Sequence, residues 1–166
     1  TIGQLMTEDG YDAVYIGVGA GLPWFMDVPG ENLNGVYSAN EYLTRNNLMK
    51  AFEFPNADTP IKRHKNVAVV GGGNVAMDSV RTALRLGGMD VRVTVRSPRR
   101  VMKASPWEIE DAEHEGIPIF DNHSHKEFVL EKGRLVGVRF QKRKEVGVDK
   151  SGRPKLEPTG GAGTMR

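Results

Sequence analysis

The 166 residues are 39% hydrophobic and 27% charged, a balance too apolar for a disordered chain, and no run approaches the ~20 apolar residues that span a bilayer. Cysteine is absent, which excludes disulfides, a thiol nucleophile and Cys-held zinc or iron–sulfur centres within these residues. Net charge is only +2, but its sign is segregated: Lys62–Lys103 holds ten Lys/Arg against two acids, and Ala104–Glu131 holds eight acids against one Lys. The overall charge is too mild to imply nucleic acid, whereas the basic block could attract an anionic ligand.

Thr1 is expected to cap a short helix running toward Glu8, with Gly10 ending it. The first residue is not Met, and no signal-peptide pattern is present, so the chain is expected to be a piece of something longer. The lack of cysteine fits a reducing compartment, and a cytoplasmic location is expected. Asp12–Val18 reads as a buried strand, being apolar, β-branched and aromatic between glycines. It runs into Gly17-Val18-Gly19-Ala20-Gly21, and Pro29-Gly30 signals a turn. Ser38 and Glu41 have capping-box spacing, opening a helix over Ala39–Leu48. Pro55–Pro60 is a loop.

Asn66–Val70 predicts a short buried strand, turned by Gly71-Gly72-Gly73 into a helix over Asn74–Leu86. Ala76, Val80, Ala83 and Leu84 share one face of that helix, and Gly87-Gly88 stops it. Asp90–Val95 alternates as a second strand, which completes a βαβ unit in about thirty residues. Ser105-Pro106 opens another helix that Gly116 closes. Ile117–Phe120 is a strand candidate. Glu127–Leu130 and Arg134–Gln141 predict a β-hairpin about Glu131-Lys132-Gly133, and Asp149-Lys150-Ser151-Gly152 predicts a further turn. Thr159–Arg166 has no apolar pattern and is expected to be a loose tail.

Gly71-x-Gly73-x-x-Ala76 fits G-x-G-x-x-G/A in its confirming context, after a strand and at the opening of a helix. Gly71 permits the tight turn, Gly73 lets the backbone meet a pyrophosphate, and Ala76 keeps the helix close to the sheet. The N–H groups of Gly72, Gly73, Asn74 and Val75 then lie at the positive end of the helix. NAD binders place an acid at the end of the second strand, ~20 residues on. Here that position is Arg96, followed by Ser97, Arg99 and Arg100. Guanidiniums without an acid suit a ribose 2′-phosphate, hence NADP(H). The Gly17–Gly21 cluster is followed by Pro23 and Trp24, so no helix opens after it, and it is not a second fingerprint. His123-x-His125 lacks a third metal ligand nearby. Lys142-Arg143-Lys144 lacks the aromatic platform of a nucleic-acid site and reads as a solvated hairpin edge.

Tyr11–Gly21, Val28-Pro29-Gly30-Glu31, Gly35–Leu43, Val67–Leu86, Arg96–Ala104 and the acid-rich helix ending at Glu115-Gly116 resemble the small (beta) subunit of NADPH-dependent glutamate synthase. They are equally similar to its relative, the large subunit of NADH-dependent ferredoxin–NADP oxidoreductase (sulfide dehydrogenase). The resemblance covers roughly residues 11–158. It implies an α/β fold, a Rossmann-like three-layer NAD(P)-binding domain with an antiparallel β-hairpin insertion, within a flavoprotein of two dinucleotide domains. Residues 1–35 would end the FAD-binding domain and cross over, 36–158 would bind NADP(H), and 159–166 would be the tail.

The resemblance further implies that Gly17 and Gly19 pass near FAD and nicotinamide, that Gly71–Ala76 hold the NADPH pyrophosphate, and that Arg96, with Arg99 or Arg100, holds the 2′-phosphate. It puts FAD and iron–sulfur clusters outside these residues, names no catalytic side chain or metal within them, and leaves them without turnover of their own. Partners would be a glutamate synthase large subunit or a ferredoxin-linked subunit, with no nucleic acid and no membrane, and an apolar face near Pro23–Phe25 would favour self-association. A non-catalytic dinucleotide sensor is the alternative. The family's Tyr-Arg-Arg-Ser-Arg is here Val95-Arg96-Ser97-Pro98-Arg99, one arginine fewer.

Overall fold

A computed structural model describes residues 1–19 and 21–166. Ala20, within the first glycine cluster, lies outside the described residues. The centre is a parallel sheet in the order β1 (Asn66–Val70), β2 (Asp90–Thr94), β3 (Ile119–Phe120), linked by helices α3 (Asn74–Arg85) and α4 (Pro106–His114). In β1, Val67 and Val69 turn toward the core, while Ala68 between them is exposed. Helix α3 buries Ala76, Met77, Val80 and Ala83 against Val91, Val93 and Val95, and α4 adds Ile109 and Ala112. Met77 and Val80 are fully buried; each such side chain contributes about 1.5–3 kcal/mol. The expected face of α3 is therefore the one that packs. Gly87 stops this helix with φ +101, and the Gly88 N–H donates to the Ala83 carbonyl.

Two α-helices precede the sheet among the described residues, and both start as the sequence predicts. The Thr1 hydroxyl caps α1 (Ile2–Thr7) by accepting from the Gln4 N–H. Ser38 caps α2 (Ala39–Leu43) by accepting from Glu41 N–H, and a single π-helical stretch, Thr44–Leu48, continues it.

A second, antiparallel sheet has the order β4 (His123–Glu131), β5 (Arg134–Val148), β6 (Pro154–Met165). Lys132 (φ 49°) and Gly133 (φ 74°) form the two-residue hairpin turn, with Glu131 opposite Arg134. Asp149 builds the next turn, its carboxylate accepting from the Ser151 and Arg153 N–H groups. The two sheets meet where His123 N–H donates to the Val95 carbonyl and Asn122 N–H to the Ser97 carbonyl.

Three expectations are corrected here. Asp12–Val18 is not a strand: a strand is held by a neighbouring ladder, and among the described residues none lies beside it. Its Tyr15, Ile16 and Val18 are left exposed. Thr159–Arg166 is not loose, because β6 runs to Met165 and pairs Gly163 with Phe140 and Met165 with Val138. Backbone hydrogen bonds need no apolar pattern, so composition did not mark this strand. For the same reason Lys142–Lys144 lies on the central strand β5, not at an edge. Among the described residues no helix is long and apolar enough to cross a membrane.

Candidate dinucleotide site

The glycine turn sits where β1 ends and α3 begins. Gly71, at φ +145°, takes a conformation that L side chains rarely adopt, and its N–H donates to the Thr94 carbonyl at 3.0 Å. A Cβ built on Gly71 would lie 3.5 Å from the Ala76 Cβ, an ordinary van der Waals contact, so it is the backbone conformation rather than space that calls for glycine here. Gly72 is hemmed in: its Cβ would meet Val95 Cγ1 at 2.7 Å. Its carbonyl accepts from both the Lys103 and Ala104 N–H groups at 2.9 Å. Gly73 differs, since a Cβ there would meet nothing within 4 Å.

Gly73 is the N-cap of α3, and no side chain caps it. Its carbonyl already closes the first turn by accepting from Ala76 and Met77. Among the described residues, the N–H groups of Gly72, Gly73, Asn74 and Val75 donate to no protein group. Four consecutive N–H groups without a protein partner, at the positive end of a twelve-residue helix and open at Gly73, could form a cradle for an anion.

The Asn74 side chain links this cradle to the next helix. Its Oδ1 accepts from the Ser105 N–H at 2.8 Å and its Nδ2 donates to the Ser105 hydroxyl at 3.4 Å. Ser105 is the N-cap of α4, so the positive ends of α3 and α4 lie side by side. This lock, and the grip of residues 103–104 on Gly72, are features that sequence reasoning missed. Neither has a motif; both depend on chain segments at least 31 residues apart.

The four predicted phosphate ligands fall into different states. Arg96 is exposed and makes no ion pair or hydrogen bond among the described residues. Ser97 is half-buried beside it. Arg99 is engaged on both sides: its N–H donates to Asp121 at 2.9 Å, and its guanidinium forms a bidentate pair with Glu113. Arg100 pairs with Glu145 of β5 at 2.5 Å. These partnerships hold the Arg99 and Arg100 guanidiniums firmly protonated. The neighbouring Arg81 joins Glu108, Asp111 and Glu115, which raises its pKa through the Glu115 hydrogen bond first. Part of the basic block is thus neutralised by the acidic helix α4, through Arg81, Arg85 and Arg99, and of the three arginines that follow β2 Arg96 is the one without an ion pair among the described residues.

Gly17 and Gly19 lie elsewhere. Gly19 borders an open groove of about 330 Å³ with Val18, Gly21, Asn40 and Thr44, and a wider groove of about 580 Å³ adjoins it along Pro23, Arg45 and Pro60. Neither groove is lined by residues 71–76 or 96–100. His123 and His125 flank Phe140, ring centroids 6.3 and 5.9 Å away. Among the described residues no group of three or more potential ligands could hold a metal.

Residues 4–151 match the model of the pyridine nucleotide-disulphide oxidoreductases. The chain belongs to that family. Curated relatives agree with the resemblance drawn from the sequence. The glutamate synthase [NADPH] small chain of Halomonas elongata is 34% identical over 96% of this chain and 33% of its own length. The beta subunit of the NADP(+)-dependent formate dehydrogenase of Moorella thermoacetica is 36% identical over 97% of this chain and 22% of its own. This family member therefore spans a third or less of the length of these relatives. Among solved structures, Mycobacterium tuberculosis FprA in complex with NADPH superposes with a TM-score of 0.72 over 99% of this chain and 50% of that one, at 18% identity. That likeness shows the fold, a Rossmann-like α/β arrangement.

Proposed function

We propose that this chain is the NADP(H)-binding part of a flavin-dependent oxidoreductase of the glutamate synthase small-subunit type. The observation that carries the reading is the row of four unpaired N–H groups at Gly72–Val75, open at Gly73, in a turn that abuts Thr94 and Val95 just before the unpaired Arg96. The row would receive the pyrophosphate, and Arg96, with Ser97, would meet the 2′-phosphate. No acid stands at the end of β2 to accept two ribose hydroxyls. Bound NADPH supplies a hydride, for which FAD held by the rest of a larger protein is the acceptor.

The chain's own work is positional. Gly71 and Gly72 fix the turn, Asn74 aligns two helix ends, and the fixed amides bind charge without reorganising. Residues 1–35 would complete the FAD-binding domain, passing Gly17 and Gly19 near the flavin, and residues 36–158, extended by β6, would form the NADP(H) domain. Iron–sulfur clusters, a large-subunit or ferredoxin-linked partner, and a cytoplasmic location belong to that larger protein.

Calorimetric titration of the 166-residue chain with NADPH and NADH tests the reading. A charge-assisted bond contributes about 1.5–3 kcal/mol, so NADPH should bind roughly ten- to a hundredfold more tightly than NADH. Arg96→Ala should remove most of that margin and leave NADH unchanged. Equal affinity for the two cofactors in the unaltered chain would refute the 2′-phosphate assignment; no binding of either would refute the site.

A further inference from the structure

We propose that Glu113 is a specificity-determining residue, whose carboxylate occupies the Arg99 guanidinium as an internal stand-in for a phosphate and so lowers the preference for NADPH over NADH. This rests on the 2′-phosphate reading given above. Three observations support it. First, the Glu113–Arg99 pair is bidentate, Nη1 donating to Oε1 and Nη2 to Oε2. That is the same fork geometry by which arginine grips a phosphate, so the carboxylate competes with a phosphate for the two Nη donors and cancels the charge that would attract it. Second, Glu113 is the penultimate residue of α4, at the negative end of the helix dipole. A carboxylate is disfavoured there and needs a cation, and among the described residues Arg99 is the one it has. Third, the pair is open to solvent, Arg99 being 45% and Glu113 42% exposed. An incoming dianionic phosphate can reach it, and the pair is weak enough to be displaced.

Arg99 follows the end of β2 three residues after Arg96, but its charge is already met by Glu113. The same holds for Arg100, which Glu145 holds from β5. Three arginines follow β2, yet one presents free charge. Counting arginines in the sequence overstates the discrimination; the carboxylate on α4 sets it.

A double-mutant cycle decides this, with NADPH and NADH dissociation constants measured by calorimetry at low ionic strength and folding checked by circular dichroism. Glu113 and Arg99 are surface residues, so each variant should fold. Glu113→Gln should tighten NADPH by about three- to tenfold, somewhat above what releasing a surface ion pair alone provides, and leave NADH unchanged. Arg99→Ala alone should change NADPH less than about twofold, because that guanidinium is occupied already. Combining Arg99→Ala with Glu113→Gln should erase the gain.

The proposal is overturned if Glu113→Gln leaves the NADPH-to-NADH ratio unchanged, if the gain survives without Arg99, or if Arg99→Ala weakens NADPH as much as Arg96→Ala does. The underlying site fails separately: if Arg96→Ala leaves NADPH affinity unchanged, the 2′-phosphate does not bind here, and the inference falls with it.

Discussion

The three consecutive glycines should respond differently to substitution, and the structure says how. At Gly73 the backbone has φ −106°, which any residue adopts, and an added Cβ meets open space. Losing glycine at an N-cap costs a few tenths to about 1 kcal/mol, and restricting the unfolded chain returns about 0.4–1 kcal/mol. Gly73→Val should therefore fold with nearly unaltered stability. Its branched side chain would stand in the space before the unpaired amides, where a pyrophosphate must come within hydrogen-bonding distance. Binding of NADPH should fall at least ~30-fold, equivalent to losing about 2 kcal/mol of charge-assisted contacts.

Gly72→Ala should do the reverse. Its Cβ would press on Val95 Cγ1 at 2.7 Å, and Val95 is only 3% exposed, so it cannot swing into solvent. Overpacking of this kind costs about 1–3 kcal/mol. Gly71→Ala is strained by φ +145°, at about 1–3 kcal/mol. Urea unfolding followed by circular dichroism gives the stabilities, and calorimetry gives the affinities. A folded Gly73→Val protein that binds NADPH like the unaltered chain would show that the turn does not hold the pyrophosphate. A Gly72→Ala protein of undiminished stability would show that the contact with Val95 is loose.

Arg81 holds Glu108, Asp111 and Glu115 together at 19% exposure; Arg81→Ala should cost about 2 kcal/mol in urea unfolding, and Arg81→Lys, with a point charge in place of a fork, should recover less than half. Burial holds the His125 pKa below its ordinary value of 6.5, with Glu31 opposing weakly, and its Nε2 has no partner. Below pH ~6.5 the unfolded chain binds a proton that the folded chain refuses, so stability should be complete above that pH and fall as pH drops toward the lower folded value. His125→Phe, placed among Phe128 and Phe140, should flatten the melting temperature against pH between 7.5 and 5; an unchanged slope would assign the effect to other groups. Trp24 is 96% and Tyr15 95% exposed, within an apolar stretch that includes Phe25. Sedimentation should show concentration-dependent association, suppressed by Trp24→Ser with Phe25→Ser; a monomer at all concentrations would contradict this.

The βαβ unit was legible because each of its signals is local. Val67 and Val69 alternate into the core, Ala76, Val80 and Ala83 repeat at helical spacing, and the glycines at 71–73 and 87–88 punctuate both ends. The same locality made the caps at Thr1 and Ser38 and the Lys132-Gly133 turn readable, since a cap or a two-residue turn involves neighbours only. Where the reading failed, a distant partner was decisive. Asp12–Val18 has the composition of a strand but no ladder beside it, and the glycine-rich segment ending at Met165 has no strand composition but pairs with β5.

The site divides in the same way. The sequence determined that a glycine turn would end β1 with unpaired amides at the start of α3, and that basic residues would follow β2, because these are consequences of residue type at fixed spacing. Which of those residues is available was decided by tertiary structure alone. Arg96, Arg99 and Arg100 are alike in the sequence, but α4 brings Glu113 to one and β5 brings Glu145 to another. Likewise Gly72 and Gly73 are adjacent and chemically identical, yet one faces Val95 and the other faces open space. Charge and freedom at a site depend on what the fold places opposite each group, and that pairing links positions 14 to 45 residues apart, beyond the reach of any local pattern.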